Sequence, residues 1–528
     1  MPQHVLVFSE PPSALWVVAL PLLGVCAKAL LTRILLLRKP LPPGPSFFAR
    51  WWHDLKSNEL LPVKFMRWSE VYGGVISVMD SVHLGQNTIV LCTPKAATDL
   101  LEKRGNIYSS RPKNVIASDI CYRGFKGSLQ QAGTKLKRFR TLMNATMNAD
   151  ASRSYRPLED AESRLLLREL LEVSPNKYVD HVQRALHSVA FYSAYGLRID
   201  HLYPEHTEFY RKLEKFFREN NLPGKYLVDH FPILLYLPSP LQWFRKAADE
   251  QGKNEELFFL QCLSQTKMVV SKGSSFGTTA ARALEKQKLY DYSDAEVAIT
   301  SSAPYTAGVM TTYSNFEVFI LAMLLYPRAM KQAQSDIDAA VGRERLPSFE
   351  DLDSLPYIRA LIKELGRWHP PASLGLPHAT SEDDVYEGMF IPAGSTVIAN
   401  IYAITRNTEL FPEPEEFRPE RFINNPDPFF KNYSVTFGFG RRICPGQHIA
   451  NDQLFVLITR ILWAFDIVAQ EDGFDPLRHR YPLRPRFGMV PSLPYKLVPR
   501  AESIRPIITE EGLLAEKDVQ AWESFSFK

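Results

Sequence analysis

Cysteine is scarce in this 528-residue chain: Cys26, Cys92, Cys121, Cys262 and Cys444 are all there are, far apart and never in a C-x-x-C pair. That excludes a disulfide framework or a cysteine-rich zinc site and places the body of the chain in a reducing compartment. Net charge is almost absent too. Lys and Arg total 62 against 58 for Asp and Glu, and a formal +4 spread over so large a surface argues against nucleic acid as a partner. No G-x-G-x-x-G occurs, so the chain encodes neither a nicotinamide nor a flavin fingerprint. Between about Ser46 and Arg500 there is no Gly/Ser-rich linker, low-complexity tract or internal repeat, which favours one large domain.

Charge is missing from the N-terminus as well. Pro11 to Ala27 carries none, and the apolar character continues past Lys28 and Arg33 to Leu37. As one helix, Ala14 to Leu37 reaches about 36 Å at ~1.5 Å per residue, enough for a hydrocarbon core of ~30 Å. A cleavable signal peptide is the competing reading, but Met1 to Glu10 lacks the basic residues it needs. With Arg33, Arg38 and Lys39 after the span, the positive-inside rule leaves the N-terminus outside and the body cytoplasmic. The chain thus divides into a lumenal stub and membrane anchor at 1–39, a proline-rich hinge at 40–45, a globular body at 46–500 and a polar, Glu-rich tail at 501–528. Pro40-Leu-Pro-Pro-Gly-Pro45 reads either as a stiff spacer between membrane and body or as a helix stop.

What fills the body is mainly helical periodicity. Glu159–Glu172, Lys177–Tyr195, Glu255–Lys272, Asp294–Leu325, Arg328–Val341 and Leu355–Trp368 carry apolar residues at three- and four-residue spacing. Short strand-like runs are fewer: Gly74–Met79, Thr88–Cys92, Thr396–Asn400 and Tyr495–Val498. The class is mainly α with small β-sheets.

Chemistry concentrates in Phe437-Gly-Phe-Gly-Arg-Arg-Ile-Cys-Pro-Gly446. A thiolate that ligates haem iron needs a backbone turning sharply beneath a flat macrocycle, and N–H donors near its sulfur. Gly438, Gly440 and Gly446 permit such an approach, Arg442 is placed to meet a carboxylate on the haem rim, and the apolar run Gln447–Phe465 starts a helix whose N-terminus favours thiolate. Here the sequence resembles the cytochrome P-450 superfamily, whose haem loop reads F-x-x-G-x-R-x-C-x-G. Phe437, Gly440, Arg442, Cys444 and Gly446 match every fixed position. From ordinary composition such a match arises on the order of once in ten thousand chains of this length.

Further matches carry the resemblance from Pro40 to about Arg500. Glu364 and Arg367 share a helix face, in isolation a weak surface pair; with Phe417-Arg-Pro-Glu-Arg-Phe422 downstream, the resemblance implies a buried network of Glu364, Arg367 and Arg421. In Thr306-Ala-Gly-Val-Met-Thr-Thr312, Ala307, Gly308, Thr311 and Thr312 match the family's distal helix, whose Thr delivers protons, whereas Met310 stands where the family places an acid. Pro304 offers a cause of distortion there. Gly133-Thr-Lys-Leu-Lys-Arg-Phe-Arg140 resembles a propionate-binding segment, with Leu136 in place of its Trp and Arg140 retained; a solvated basic face of Lys135, Lys137, Arg138 and Arg140 is the alternative. His378, in Gly375-Leu-Pro-His378, reads equally as a propionate ligand or a structural histidine. The wording of Tyr108-Ser-Ser-Arg-Pro112 and Trp368-His-Pro-Pro371 is most similar to membrane-bound fungal members that tailor secondary metabolites.

The resemblance implies a cytochrome P-450 fold behind one N-terminal transmembrane helix, with 46–500 as the haem-binding catalytic domain. It implies haem b on Cys444 as axial ligand, and insertion of oxygen from O2 into a C–H or C=C bond of a small, largely apolar substrate. Thr311, Thr312 and Gly308 form the catalytic side. Phe437, Gly440, Arg442, Gly446, Arg140 and His378 hold the cofactor. Electrons come from NADPH through a separate NADPH–cytochrome P-450 reductase, with cytochrome b5 as a further donor, at the endoplasmic-reticulum membrane. The segment Lys135 to Arg140 is a candidate docking patch. Val115–Leu129, Ala303–Thr311 and Phe487–Leu493 border the implied substrate pocket. Two rivals remain open: a haem-thiolate isomerase or dehydratase needing no reductase, motivated by Met310, and a non-catalytic membrane haem protein.

Overall fold

The computed structural model describes residues 39–46, 59–79, 87–220, 225–273, 277–470 and 493–525. The expected anchor, up to residue 38, and residues 487–492 of the expected pocket turn lie outside the described residues, as does Cys26. The other four cysteines are free.

Leaving helical turns of three to seven residues unlabelled, the helices begin with α1 (Leu61–Tyr72), α2 (Thr134–Met147), α3 (Arg156–Glu172), α4 (Tyr178–Tyr195), α5 (Pro204–Asn220) and α6 (Lys246–Ser271). They continue with α7 (Thr279–Tyr290), α8 (Asp294–Ser301), α9 (Ala303–Leu325), α10 (Pro327–Ala340), α11 (Pro356–Trp368), α12 (Gln447–Ala464) and α13 (Ile504–Asp518). The strands are β1 (Val75–Met79), β2 (Asn87–Leu91), β3 (His378–Ala379), β4 (Asp384–Tyr386), β5 (Met389–Ile391), β6 (Thr396–Ala399), β7 (Phe465–Ala469) and β8 (Tyr495–Pro499). Each periodic segment read as a helix therefore falls on a helix. One differs in continuity.

Asp294–Leu325, expected as a single segment, divides into α8 and α9 at Ser302. Pro304 has no N–H to offer the Thr300 carbonyl four residues back, so the helical ladder is broken there. Ser302 Oγ instead donates to the Ile299 carbonyl at 2.8 Å, and the Thr306 N–H donates to the Ser302 carbonyl at 2.9 Å, restarting the helix. The combined segment is apolar and long enough to cross a membrane by composition, yet 72% of its most apolar window is buried inside the protein. It is a core helix, apolar on nearly all sides because α4, α11 and α12 pack around it.

Sheet order β1-β2-β6-β3 joins an N-terminal hairpin to strands from the second half of the chain. β1 and β2 pair antiparallel, with Val75 opposite Leu91, and β2 pairs parallel to β6, with Thr88 opposite Thr396. β3 closes the edge, and an isolated bridge from Ala379 to Ser110 extends it, so that Arg111 is delivered beside His378. The 40–45 segment is tied to this sheet region: Ser77 N–H donates to the Pro43 carbonyl at 2.9 Å and Phe390 N–H to the Pro40 carbonyl at 2.6 Å. Prolines still offer their carbonyls, which makes the segment a docked strap. A side chain at Gly44 would lie 1.9 Å from the Ser77 carbonyl oxygen, so only glycine lets the strap approach this closely.

The tail holds more structure than its polar composition indicates. α13 buries Ile504, Ile508 and Ala515 against α3 and presents its charges to that helix's arginines. Arg164 pairs with Asp518 at 2.6 Å and Glu511 at 3.3 Å, and Arg168 pairs with Glu516. Beyond the helix, Phe525 packs edge-on against Phe191 and Phe258. Replacing the fully buried Ile508 by Ala should cost about 2–5 kcal/mol in urea unfolding, while half-exposed Leu513→Ala should stay within about 0.5 kcal/mol. Equal effects of the two would show that α13 is not packed as described.

Candidate active site

Two walls enclose a cavity of about 550 Å³. One is the loop ending at Cys444, where Phe437, Gly438 and Phe439 precede the cysteine; the other is the first half of α9, which contributes Ala307, Gly308, Thr311 and Thr312. The loop holds its shape through its own backbone. The Cys444 N–H donates to the Phe437 carbonyl at 2.8 Å, after short 3-10 turns at Val435–Phe437 and Gly440–Arg442. Gly440 adopts φ +53°, and a Cβ there would lie 2.2 Å from the Leu101 carbonyl oxygen. Its glycine requirement therefore comes from the neighbouring protein backbone. Gly446 differs from expectation: its φ of −84° suits any residue and a Cβ there meets nothing within 4 Å, so the protein itself sets no steric demand at this position.

Burial pushes the Cys444 thiol above its ordinary range, and a hydrogen bond from the Gly446 N–H and the charge of Arg140 oppose that shift. α12 begins at Gln447, three residues on, so the sulfur also lies close to a helix N-terminus. Such a sulfur gains its thiolate form when a cation compensates it.

Along one edge of the cavity the positive charges gather. Arg140 Nη1 donates to the Ile443 carbonyl at 2.7 Å. Arg442 Nε donates to the Ser109 carbonyl at 2.7 Å and its Nη2 to the Gln130 carbonyl. Arg111, to which no role was attached from sequence, donates Nε to Ser128 at 3.0 Å and Nη1 to the Leu376 and Pro377 carbonyls at 2.8 and 2.7 Å. Carbonyls satisfy the donors without neutralising the charge. No carboxylate pairs with any of the three among the described residues, and each is pushed down in pKa by burial, Arg111 and Arg442 further by mutual or Arg140 repulsion. Arg442 falls to about 10. His378 Nδ1 lies 2.8 Å from the Tyr108 carbonyl, and burial followed by the Arg111 charge pushes its pKa to about 3, so it is neutral and donates through Nδ1. No spacing in the sequence marks Arg111; its place follows from the bridge between Ser110 and Ala379.

The basic segment of α2 splits. Lys135 and Lys137 are exposed, whereas Arg138 turns in to the Tyr290 carbonyl at 3.0 Å and Arg140 to the loop, so the alternative of one solvated basic face does not describe it. Leu136 is buried and lines the cavity.

On α9, Thr311 Oγ1 donates to the Ala307 carbonyl at 2.9 Å and is reached from the cavity. Thr312 and Met310 are buried, and both border the cavity. One turn on, Asn315 Nδ2 donates to the Thr311 carbonyl at 3.0 Å and also lines the cavity.

Beneath the loop, Glu364 and Arg367 have fully buried side chains. Arg367 Nε and Nη2 donate to the Glu364 carboxylate at 2.6 and 2.8 Å, the Arg418 N–H donates to it at 2.8 Å, and Arg421 Nε at 3.4 Å. Arg367 also caps the Thr405, Pro414 and Glu416 carbonyls. The three residues meet in one place, with α11 packed on the Val435–Phe437 turn that leads to Cys444.

A family model described as cytochrome P-450 matches residues 41–497. The chain belongs to the cytochrome P-450 family. It is similar to cytochrome P-450 monooxygenase 58 of Postia placenta, at 35% identity over 440 residues covering 81% of this chain and 82% of that one. It is likewise similar to cytochrome P-450 monooxygenase drtD of Aspergillus calidoustus, at 36% identity over 487 residues, 91% and 90% of the two chains. A zebrafish cytochrome P-450 solved with abiraterone shares the fold, with TM-score 0.67 and 21% identity, covering 83% of this chain and all of that one. As a member of this cytochrome P-450 family the protein is a haem-thiolate monooxygenase, and its cofactor is haem. The site's donor set fits that group: a thiol for the iron on one wall, and for two rim carboxylates an edge of three arginines that no carboxylate among the described residues neutralises. α13 lies beyond the matched region.

Glu364→Ala would leave Arg367 as a buried charge without its counter-ion. The variant should lose about 3–5 kcal/mol in urea unfolding, and one as stable as the parent would refute the network's structural weight.

Proposed function

We propose that this cytochrome P-450 inserts one atom of O2 into a small, largely apolar molecule of fungal secondary metabolism, and that Cys444 would hold the haem iron through its sulfur. The observation that carries the assignment is the cavity between the Cys444 loop and the Ala307–Thr312 turn, edged by Arg111, Arg140 and Arg442. Haem bound to a thiolate supplies the activation of dioxygen. The chain's own residues orient and supply protons. Arg111, Arg140 and Arg442 would hold the rim carboxylates, with His378 supporting the backbone beside them. Phe437 and Gly440 shape the loop, and Gly446 directs its N–H at the sulfur. Gly308 keeps side-chain bulk off the cavity wall, where among the described residues a Cβ would meet only Ala190 Cβ, at 3.6 Å.

Thr311 is the proton-delivering hydroxyl, with Thr312 behind it. A thioether relays no proton, so Met310 takes no part in delivery, and Asn315, hydrogen-bonded to the Thr311 carbonyl, is the next polar group along the cavity face. Electrons reach the site from NADPH through a separate reductase, with cytochrome b5 as an additional donor, because the chain has no nucleotide fingerprint of its own. Exposed Lys135 and Lys137 are the docking residues that remain on α2.

The protein is held at the endoplasmic-reticulum membrane by residues 1–39, with the body at 46–500 cytoplasmic. An apolar surface on the body supports this. Leu227, Tyr236, Leu241 and Trp243, all within residues 227–243, are exposed by 58, 87, 54 and 68%. The fungal relatives support the assignment to secondary metabolism.

Expression with an NADPH-dependent reductase, feeding of terpenoid, polyketide and aromatic intermediates, and mass analysis under labelled dioxygen test the reading. A product carrying one labelled oxygen is expected. Turnover without NADPH would instead favour an isomerase or dehydratase, the reading that Met310 motivates. Cys444→Ser should abolish the thiolate-type absorption of the reduced carbonyl complex, and an unchanged spectrum would overturn the ligand assignment. Thr311→Ala should lower product per NADPH consumed by about 10²-fold, the scale of a lost general acid, while leaving that spectrum intact.

A further inference from the structure

The cavity wall is mostly apolar, but two ammonium groups reach it away from the arginine edge: Lys363, which donates to the Phe430 and Lys431 carbonyls at 3.2 and 3.0 Å, and Lys126. Lys126 Nζ lies 4.2 Å from the centre of the Tyr122 ring and 4.9 Å from that of Phe217 on α5. The adjoining Gly127 carbonyl accepts from Arg442 Nη1 at 3.4 Å, so the backbone leaves the arginine edge here while the Lys126 side chain turns towards α5 and α6. Among the described residues Lys126 Nζ has neither a hydrogen bond nor an ion pair. Among the described residues the carboxylate that acts on it is Glu255 on α6, which forms no ion pair with it and whose Oε1 accepts from Gln251 Nε2 at 2.8 Å and from the Tyr122 hydroxyl at 3.4 Å. Burial pushes Glu255 towards its neutral form, which weakens that compensation, and pushes Lys126 down as well.

A cation fixed between two aromatic faces is pre-positioned without being neutralised, because the rings attract charge but offer no acceptor. An acceptor entering the chamber completes it. We propose that Lys126 is the specificity-determining residue of the substrate chamber and selects apolar molecules that carry a carboxylate, anchoring that group by a charge-assisted hydrogen bond while the hydrocarbon portion lies against the apolar wall. The inference rests on the chamber being the substrate site of the haem enzyme.

Dodecanoate and its methyl ester, which differ in the charged group and little else, are the probes. Each is titrated into ferric holoenzyme, with binding read from the shift in haem absorption and by calorimetry. The parent protein should bind the acid about tenfold more tightly than the ester, the scale of one charge-assisted bond. Lys126→Met should remove that preference by weakening the acid alone, and Lys126→Arg should keep it. Equal binding of the two probes by the parent, no binding of either, or a preference that persists in Lys126→Met overturns the inference. Haem content and the reduced carbonyl spectrum are measured on every sample. A normal thiolate spectrum without acid preference sinks this inference alone, whereas a parent protein without that spectrum sinks the haem reading beneath it. Haem loss in Lys126→Met that Lys126→Arg restores would assign the ammonium to the cofactor's carboxylates and overturn it too.

Discussion

The Glu364 carboxylate receives two donors from Arg367, the Arg418 N–H and Arg421 Nε, and neither Glu364 nor Arg367 exposes side chain to water. Ion pairs withdrawn this far survive only with close geometry and satisfied remaining donors, because desolvation otherwise exceeds their attraction. Arg367 meets that condition by turning its spare N–H groups on the Thr405, Pro414 and Glu416 carbonyls. One helix face thereby pins three loop positions on the approach to Cys444. The Phe437–Cys444 backbone bond then needs to order only the last few residues, and the sulfur inherits its position from a rigid base.

Electrostatic design runs the opposite way at the cavity edge. There, Arg111, Arg140 and Arg442 share a small volume, each donating to backbone carbonyls, with no carboxylate among the described residues paired to them. Below the loop, charge is matched within the chain; at the edge, it stands open to an anionic group that enters the cavity. A group that binds such an edge stabilises the folded state in proportion to its concentration over its dissociation constant. Cofactor retention and fold stability are in this sense one equilibrium.

Much of this was legible in sequence because the chemistry is local. The spacing from Phe437 to Gly446 is a single turn-rich loop, and the helices α3, α4, α10 and α11 announce themselves through apolar periodicity. What escaped depends on distant pairing. Arg111 acquires its partners only when Ser110 bridges to Ala379, and Lys126 acquires meaning only when Phe217 arrives from α5; neither relation has a sequence spacing. The break at Ser302 was half legible, since Pro304 marks the fault and the restart depends on where the Ser302 hydroxyl turns. Composition hid α13, whose glutamates read as solvated tail until Arg164 and Arg168 face them.

The position of α13 has a consequence for biosynthesis. Ala161 and Leu165 on α3 are covered by Ala515 and Val519, which follow about 350 residues later in the chain. Domains condense from the N-terminus as the chain emerges, yet here an early helix keeps a bare apolar stripe until that much more of the chain has been made. The nascent protein therefore exposes this stripe for most of the time its body is being assembled.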